Sequence, residues 1–390
     1  MRVQLRWVVA ALATGCSDPG GSEGSAGAPP GAQCAADHDC ADGQQCRDAI
    51  CEGCGDDRVQ PGELCFGEPI ELMTLGATEL LLLDEPGSSS VLATLAHDPR
   101  IRRLRGTPGP GLAEEWFLAE LTVWRTLVAD LNTDGWDDVT IEPATTNGSR
   151  RAFIDADGLE FELDYAGGPD HPRAFMPATD ELPARIFDID ADGVLVWYSF
   201  EQGYARGPIL ELEGVESTAA GDIDGDGAAE LVVATFDGRI LRFVPEGPSF
   251  VPTDEIDIGF EADILRVGDL DADGRGEVIA TQEFGDALAV VRVTPAEGLV
   301  VVATLARSSS STDPAIADLD HDGRADVLLT SSVDDHLFVI SLAADDTLVE
   351  RHIAIPGGAA AARPFDLDDD GLLDIVAAQY DRLVIIPGGA

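Results

Sequence analysis

The chain contains no lysine. All 24 of its basic residues are arginine, and they stand against 73 acids, for a net charge of -49. So negative a surface argues against a nucleic-acid partner, because phosphate backbones are held by positive side chains. Cysteine is missing after Cys65. Long apolar runs are missing too: the stretch Trp7 to Ala13 is far shorter than the roughly 20 residues that span a bilayer. There is no HExxH pair and no phosphate loop. Gly20, Ser22 and Gly24 have GxSxG spacing, but they lie in a Gly/Ser/Pro stretch without the preceding strand and following helix that a nucleophile elbow needs. His38, His97, His171, His321, His336 and His352 are scattered and read as exposed loop residues, His336 at a hairpin.

What is abundant is aspartate in one pattern. In DLDHDGRAD, Asp318, Asp320, Asp322 and Asp326 hold positions 1, 3, 5 and 9. Gly323 at position 6 lets the backbone fold back, so that these carboxylates and the carbonyl of Arg324 at position 7 can converge on a hard cation, Ca²⁺. Leu329 sits at position 12, where an EF-hand has its Glu, and β-branched and aliphatic residues follow, so the loop feeds a strand. Four other loops repeat the donor set. They are Asp130, Asn132, Asp134, Trp136 and Asp138; Asp222, Asp224, Asp226, Ala228 and Glu230; Asp269, Asp271, Asp273, Arg275 and Glu277; and Asp366, Asp368, Asp370, Leu372 and Asp374. The position-7 residues contribute through their carbonyls. About five Ca²⁺ sites are expected.

The loops start at 130, 222, 269, 318 and 366, in steps of 92, 47, 49 and 48. The first step is two repeats long, which places a hidden unit near residue 177, at PATDELPAR, where most ligands are lost. Asp188, Asp190 and Asp192 mimic half the motif. Aligned with Glu230 to Val244, however, Asp192 and Gly193 fall on the hairpin turn Asp237 and Gly238, so they read as strand and turn. A further degenerate loop near Asp84 to Gly87 makes seven units. Each resolves into four strands, which is the content of a propeller blade. Only the stretch from Leu112 to Leu121 is ambiguous between helix and strand. The strand Pro69 to Leu75 should complete the last unit, whose own third strand ends at Pro387, so that no open edge remains. The expected fold is all-β: a seven-bladed β-propeller with Ca-binding DxDxDGxxD loops, preceded by a small disulfide-rich segment.

The N-terminal part is different. Arg2 and Arg6 flank the short apolar stretch, and Thr14 and Gly15 precede Cys16, as in a bacterial lipoprotein signal, with Ala13 standing where Leu is preferred. Residues 1–15 then form the signal peptide, with Cys16 as the lipidation site, and 16–33 a flexible tether. In 34–65, Cys34, Cys40, Cys46, Cys51, Cys54 and Cys65 read as three disulfides with fifteen possible connectivities, zinc through Cys51 and Cys54 being the rival. Residues 66–390 form the propeller. The stretch CGDDRVQPGELC, Cys54 to Cys65, resembles the short CGDGxxxPGExC repeat of surface lipoproteins in high-GC Gram-negative bacteria. It departs at Asp57 and implies a stalk.

The propeller units themselves resemble FG-GAP or VCBS-type repeats of integrin α-subunit-like propellers. That resemblance implies Ca²⁺ on one face and a binding role. The reading is a lipid-anchored, monomeric surface or outer-membrane module for adhesion to a protein or glycan, without catalysis. The alternative is an envelope carbohydrate-active enzyme, a polysaccharide lyase or glycosidase, with its site in the propeller channel. Clustered unliganded acids would mark the enzyme; an exposed Trp124, Trp136 or Trp197 would mark a glycan platform. Anchoring is testable directly. Cys16→Ser should move the protein from the membrane to the soluble fraction on fractionation, since the tether has no affinity of its own for lipid.

Overall fold

The computed structural model describes residues 214–389 except 248, 283, 284, 286, 307–311, 368, 369 and 380. It also describes the earlier strands named below and residues 64–67, 69, 130, 137, 177, 178, 184 and 212. Among the described residues every regular element is a strand. One short hairpin, Gln45–Arg47 with Ile50–Glu52, sets Cys46 opposite Cys51, and Cys65 is disulfide-bonded. Cys16, Cys34, Cys40 and Cys54 lie outside the described residues.

The remaining strands form seven four-stranded antiparallel sheets, none of which closes on itself. Sheet I contains Glu79–Glu85, Ser88–Thr94, Arg100–Thr107 and Gly111–Leu118. The stretch that was ambiguous in sequence is thus an outer strand. Sheet II contains Val123–Ala129, Asp138–Pro143, Ser149–Ile154 and Glu160–Tyr165; sheet III, Ala174–Met176, Arg185–Ile189, Leu195–Ser199 and Ala205–Arg206. Sheet IV follows with Val215–Gly221, Glu230–Thr235, Arg239–Glu246 and Ser249–Asp257, and sheet V with Ile264–Gly268, Glu277–Thr281, Ala287–Thr294 and Gly298–Ala306. Sheet VI has Thr312–Ala317, Asp326–Thr330, His336–Leu342 and Leu348–Ala354. Sheet VII takes Ala361–Phe365, Asp374–Ala378 and Leu383–Ile386 from the end of the chain and Ile70–Met73 from its beginning.

The burial pattern explains the stacking. Second strands such as Glu277–Thr281 and Asp374–Ala378 are buried along their whole length, and their sequences, EVIAT and DIVAA, are correspondingly continuous in apolar and small residues. They are covered on both faces. The fourth strand Ser249–Asp257 is mostly exposed, as an outer edge should be. Separate hydrophobic clusters fill the spaces between sheets III and IV, IV and V, V and VI, VI and VII, and VII and I. First strands of successive sheets adjoin from III through VII, that of VII adjoins that of I, and that of I adjoins that of II. At Gly221 an added Cβ would come within 2.6 Å of Val267, and at Gly268 within 2.6 Å of Ile316, so neighbouring first strands meet closely at the ends that enter the loops.

Two features settle the register. Asp188 pairs with Val196 inside sheet III, so its backbone belongs to a strand and the first-to-second loop of that sheet is 177–184; Asp190 and Asp192 lie outside the described residues. At the junction of the chain ends, Ile70 pairs with Ile385, and Phe66 bridges to Gly388. Gly67 N donates to Pro387 O at 2.7 Å and Gly389 N to Cys65 O at 3.0 Å. Leu64 and Phe66 enter the core between sheets VI and VII, so the last cysteine is fixed against the sheets. Removing that anchor should be costly. Phe66→Ala should destabilise by about 3 to 5 kcal/mol, the range for a buried Phe, read as a lowered Tm, while Glu71→Ala at the exposed pair with Arg382 leaves the Tm nearly unmoved.

Candidate metal centres

The four loops described best join the first and second strands of sheets IV to VII. Each is wound around its first carboxylate. Asp222 accepts Gly225 N at 2.7 Å on Oδ1 and Gly227 N at 2.8 Å on Oδ2. Asp269 accepts Asp273 N at 3.1 Å and Gly274 N at 2.9 Å, and Asp318 accepts Asp322 N at 3.1 Å and Gly323 N at 3.0 Å. Asp366 does the same with Asp370 N at 3.2 Å and Gly371 N at 2.9 Å. The position-6 glycines, Gly227, Gly274, Gly323 and Gly371, all sit at φ between 86° and 88°, which a side chain would strain. The position-5 carboxylates of Asp226, Asp273, Asp322 and Asp370 accept the N–H two residues on, at 2.8 to 2.9 Å.

Position 9 begins the second strand and is buried in every case. One oxygen accepts the N–H of position 2: Ile223 to Glu230 at 2.9 Å, Leu270 to Glu277 at 2.8 Å, Leu319 to Asp326 at 3.1 Å and Leu367 to Asp374 at 2.9 Å. The other oxygen meets an arginine in three sheets. Arg242 bonds Glu230 Oε1 at 3.0 Å and also Asp224. Arg292 bonds Glu277 Oε1 at 2.8 Å and Asp271 Oδ2 at 2.6 Å. Arg351 bonds Asp320 Oδ2 at 2.5 Å and lies 3.5 Å from Asp326 Oδ1, which also accepts from Ser341. In sheet VII, Gly388 N donates to Asp374 Oδ1 at 2.9 Å. Burial raises the pKa values of Glu230 and Glu277 despite their arginines. It pushes Asp326 up to about 6, with the charge of Asp320 adding and Ser341 and Arg351 opposing.

Acidic oxygens converge in three groups, each within 4.8 Å: Asp222, Asp224 and Glu230; Asp269, Asp271 and Asp273; and Asp318, Asp320 and Asp326. An all-carboxylate set suits a hard divalent cation better than zinc or copper. Positions 1 and 3 belong to all three groups, joined by position 9 in loops IV and VI and by position 5 in loop V, and such a set would fit calcium, although position 9 already carries hydrogen bonds on both oxygens. The loops are also joined to one another. Gly276 N of loop V donates to Asp222 O of loop IV at 2.7 Å, and Ala325 N of loop VI to Asp269 O of loop V at 3.2 Å. In sheet II, Asp130 and the buried Asp138 flank the loop as the repeat requires, but Asn132, Asp134 and Trp136 lie outside the described residues, as does Asp368 of loop VII.

Sequence reasoning passed over the arginines. The signal was available: with lysine absent, Arg242 and Arg292 each interrupt an apolar run of a third strand. It also misplaced two histidines. His336 and His352 are half-buried on adjacent strands, their rings stacked at 4.3 Å, with His352 Nε2 at 2.9 Å from Glu350. Trp197 is buried and offers no open platform; the side chains of Trp124 and Trp136 lie outside the described residues.

A scan against protein-family models finds no match, and neither does a search of curated proteins. Among solved structures the chain is similar to BBS1N, a β-propeller, crystallised in complex with ARL6DN and soaked with lead. The TM-score is 0.59 at 11% identity, covering 83% of this chain and 96% of that one. The mercury-soaked form of the same complex gives a TM-score of 0.58 over the same shares. The fold is thus all-β and propeller-like. The arginine contacts can be tested in the loop where they are most complete. With chelator present, Arg292→Met should cost about 2 to 3 kcal/mol in denaturant unfolding, because it strands the buried Glu277 and the half-buried Asp271. Adding Glu277→Gln should recover part of that loss.

Proposed function

We propose that the chain is a calcium-stabilised, seven-bladed β-propeller acting as a non-enzymatic binding or adhesion module, lipid-anchored through Cys16 at the cell surface. The observation that carries it is the recurrence of one acidic loop at the same place in sheets IV to VII, each wound around its first carboxylate. Closure of the seven sheets into a ring is supported by the pairing of Ile70–Met73 with Leu383–Ile386 and by the contact between the first strands of sheets VII and I. A ring of blades held by metal on one face presents a rigid, strongly negative surface. Such a surface favours cationic partners. The BBS1N neighbour was crystallised in complex with ARL6DN, which fits a docking role for this architecture.

Metal in these loops would offset like charges crowded into a few ångströms, and Asp, carbonyl and water oxygens are the donors calcium takes. With affinities of roughly 10⁻⁴ to 10⁻³ M and about millimolar Ca²⁺, each site would add on the order of 0.5 to 2 kcal/mol. Chelation should therefore lower the Tm by several degrees, Ca²⁺ should restore it and Mg²⁺ should not. Asp322→Asn should remove about one ion from the stoichiometry and Asp192→Asn none. A glycan array and a pull-down from envelope extracts, each with and without Ca²⁺, test the binding role: retention that needs Ca²⁺ is expected, and no retention on either would reject it.

A further inference from the structure

Sheet III departs from its neighbours where their loops place an acid. Counting Pro177 as position 1, position 9 is Arg185, at the start of the second strand. Its side chain is only 2% exposed. Unlike Arg242, Arg292 and Arg351, it meets no carboxylate among the described residues. Its Nε and Nη1 hydrogens have no acceptor, and burial alone lowers its pKa. Arginine nevertheless stays cationic in proteins. What holds it is aromatic: the guanidinium carbon lies 4.6 Å from the centre of the Trp197 ring and 5.3 Å from that of Phe250, which packs edge-on against Phe187 at 5.1 Å.

The register shows what was exchanged. Arg242 in sheet IV pairs with Val232, two residues beyond Glu230; Trp197 in sheet III pairs with Phe187, two residues beyond Arg185. The acid and arginine of sheet IV have become an arginine and an indole. Rings attract the positive charge but do not take the N–H hydrogens as an oxygen does. A charged, buried, unspent donor group on a packed strand is prearranged for an anion.

We propose that Arg185, walled by Trp197 and Phe250, is the binding site for a single carboxylate group at the junction of sheets III and IV. Guanidinium and carboxylate match in shape and charge, and one cation can offset one negative charge, while the surrounding chain of net charge -49 repels polyanions. The carboxylate belongs to a small organic acid or to an acidic sugar. Trp197 and Phe250, which flank it, keep 8% and 6% of their surface exposed. The site uses no metal loop, so it stands independently of the calcium reading.

The test is thermal unfolding of the full chain at fixed Ca²⁺ and ionic strength, with acetate, glucuronate or chloride as the anion. Acetate at tens of millimolar should raise the wild-type Tm by about 2 °C over chloride and leave Arg185→Met unmoved. A larger rise with glucuronate assigns the site to an acidic sugar, an equal one to small organic acids. Should Arg185→Met fail to fold, the wild type still decides: acetate should change tryptophan emission, and Trp197→Phe should abolish that change. Equal shifts in wild type and Arg185→Met, no shift in wild type, or an equal shift with chloride would each overturn the proposal. So would a response seen only in Asp180→Asn/Glu181→Gln, because the chain's own neighbouring acids would then be the partner.

Discussion

Carboxylates buried at the root of the second strand set the terms for sheets IV to VII. Glu230, Glu277, Asp326 and Asp374 are charged groups placed where water cannot reach them, and each must be compensated. The backbone supplies one hydrogen bond by curling the loop so that the position-2 N–H points back at the acid. An arginine supplies the second in three sheets, and a glycine N–H in the fourth. The loop's shape follows from this need as much as from any ion it holds. That accounts for an ordered turn around positions 1, 5 and 6 in a chain whose acids would otherwise repel one another.

Much of the architecture was legible because it repeats. Asp-rich loops at near-constant spacing announce the units, and DVLLT or EVIAT after each loop announces a strand buried on both faces. Even the false copy at Asp188 was separable, since Asp192 and Gly193 align in sequence with the turn residues Asp237 and Gly238. The arginines escaped because their partners are distant in sequence: Arg351 reaches back 31 residues to Asp320, from a fourth strand that shows no obvious pattern. Arg185 escaped for another reason. At position 9 of a loop that has lost its ligands it looked like further decay, and only the rings of Trp197 and Phe250 around it show a built environment.

The two ends of the chain illustrate how little sequence a sheet needs to be completed. Four residues, Ile70 to Met73, complete sheet VII, and three more, Leu64 to Phe66, plug the space beside it. The disulfide at Cys65 therefore sits directly against the core and not at the end of a free linker. Any force on the N-terminal segment is delivered first to the pairing between Ile70–Met73 and Leu383–Ile386.

The backbone bonds from Gly276 to Asp222 and from Ala325 to Asp269 make loops IV, V and VI members of one series. In such a series the state of each member enters the energy of the next, as in a one-dimensional lattice with nearest-neighbour coupling. Occupancy would then spread as runs along the face instead of filling at random. Its response to ion concentration would be steeper than that of isolated loops, and a defect in the middle member, loop V, would divide the series in two.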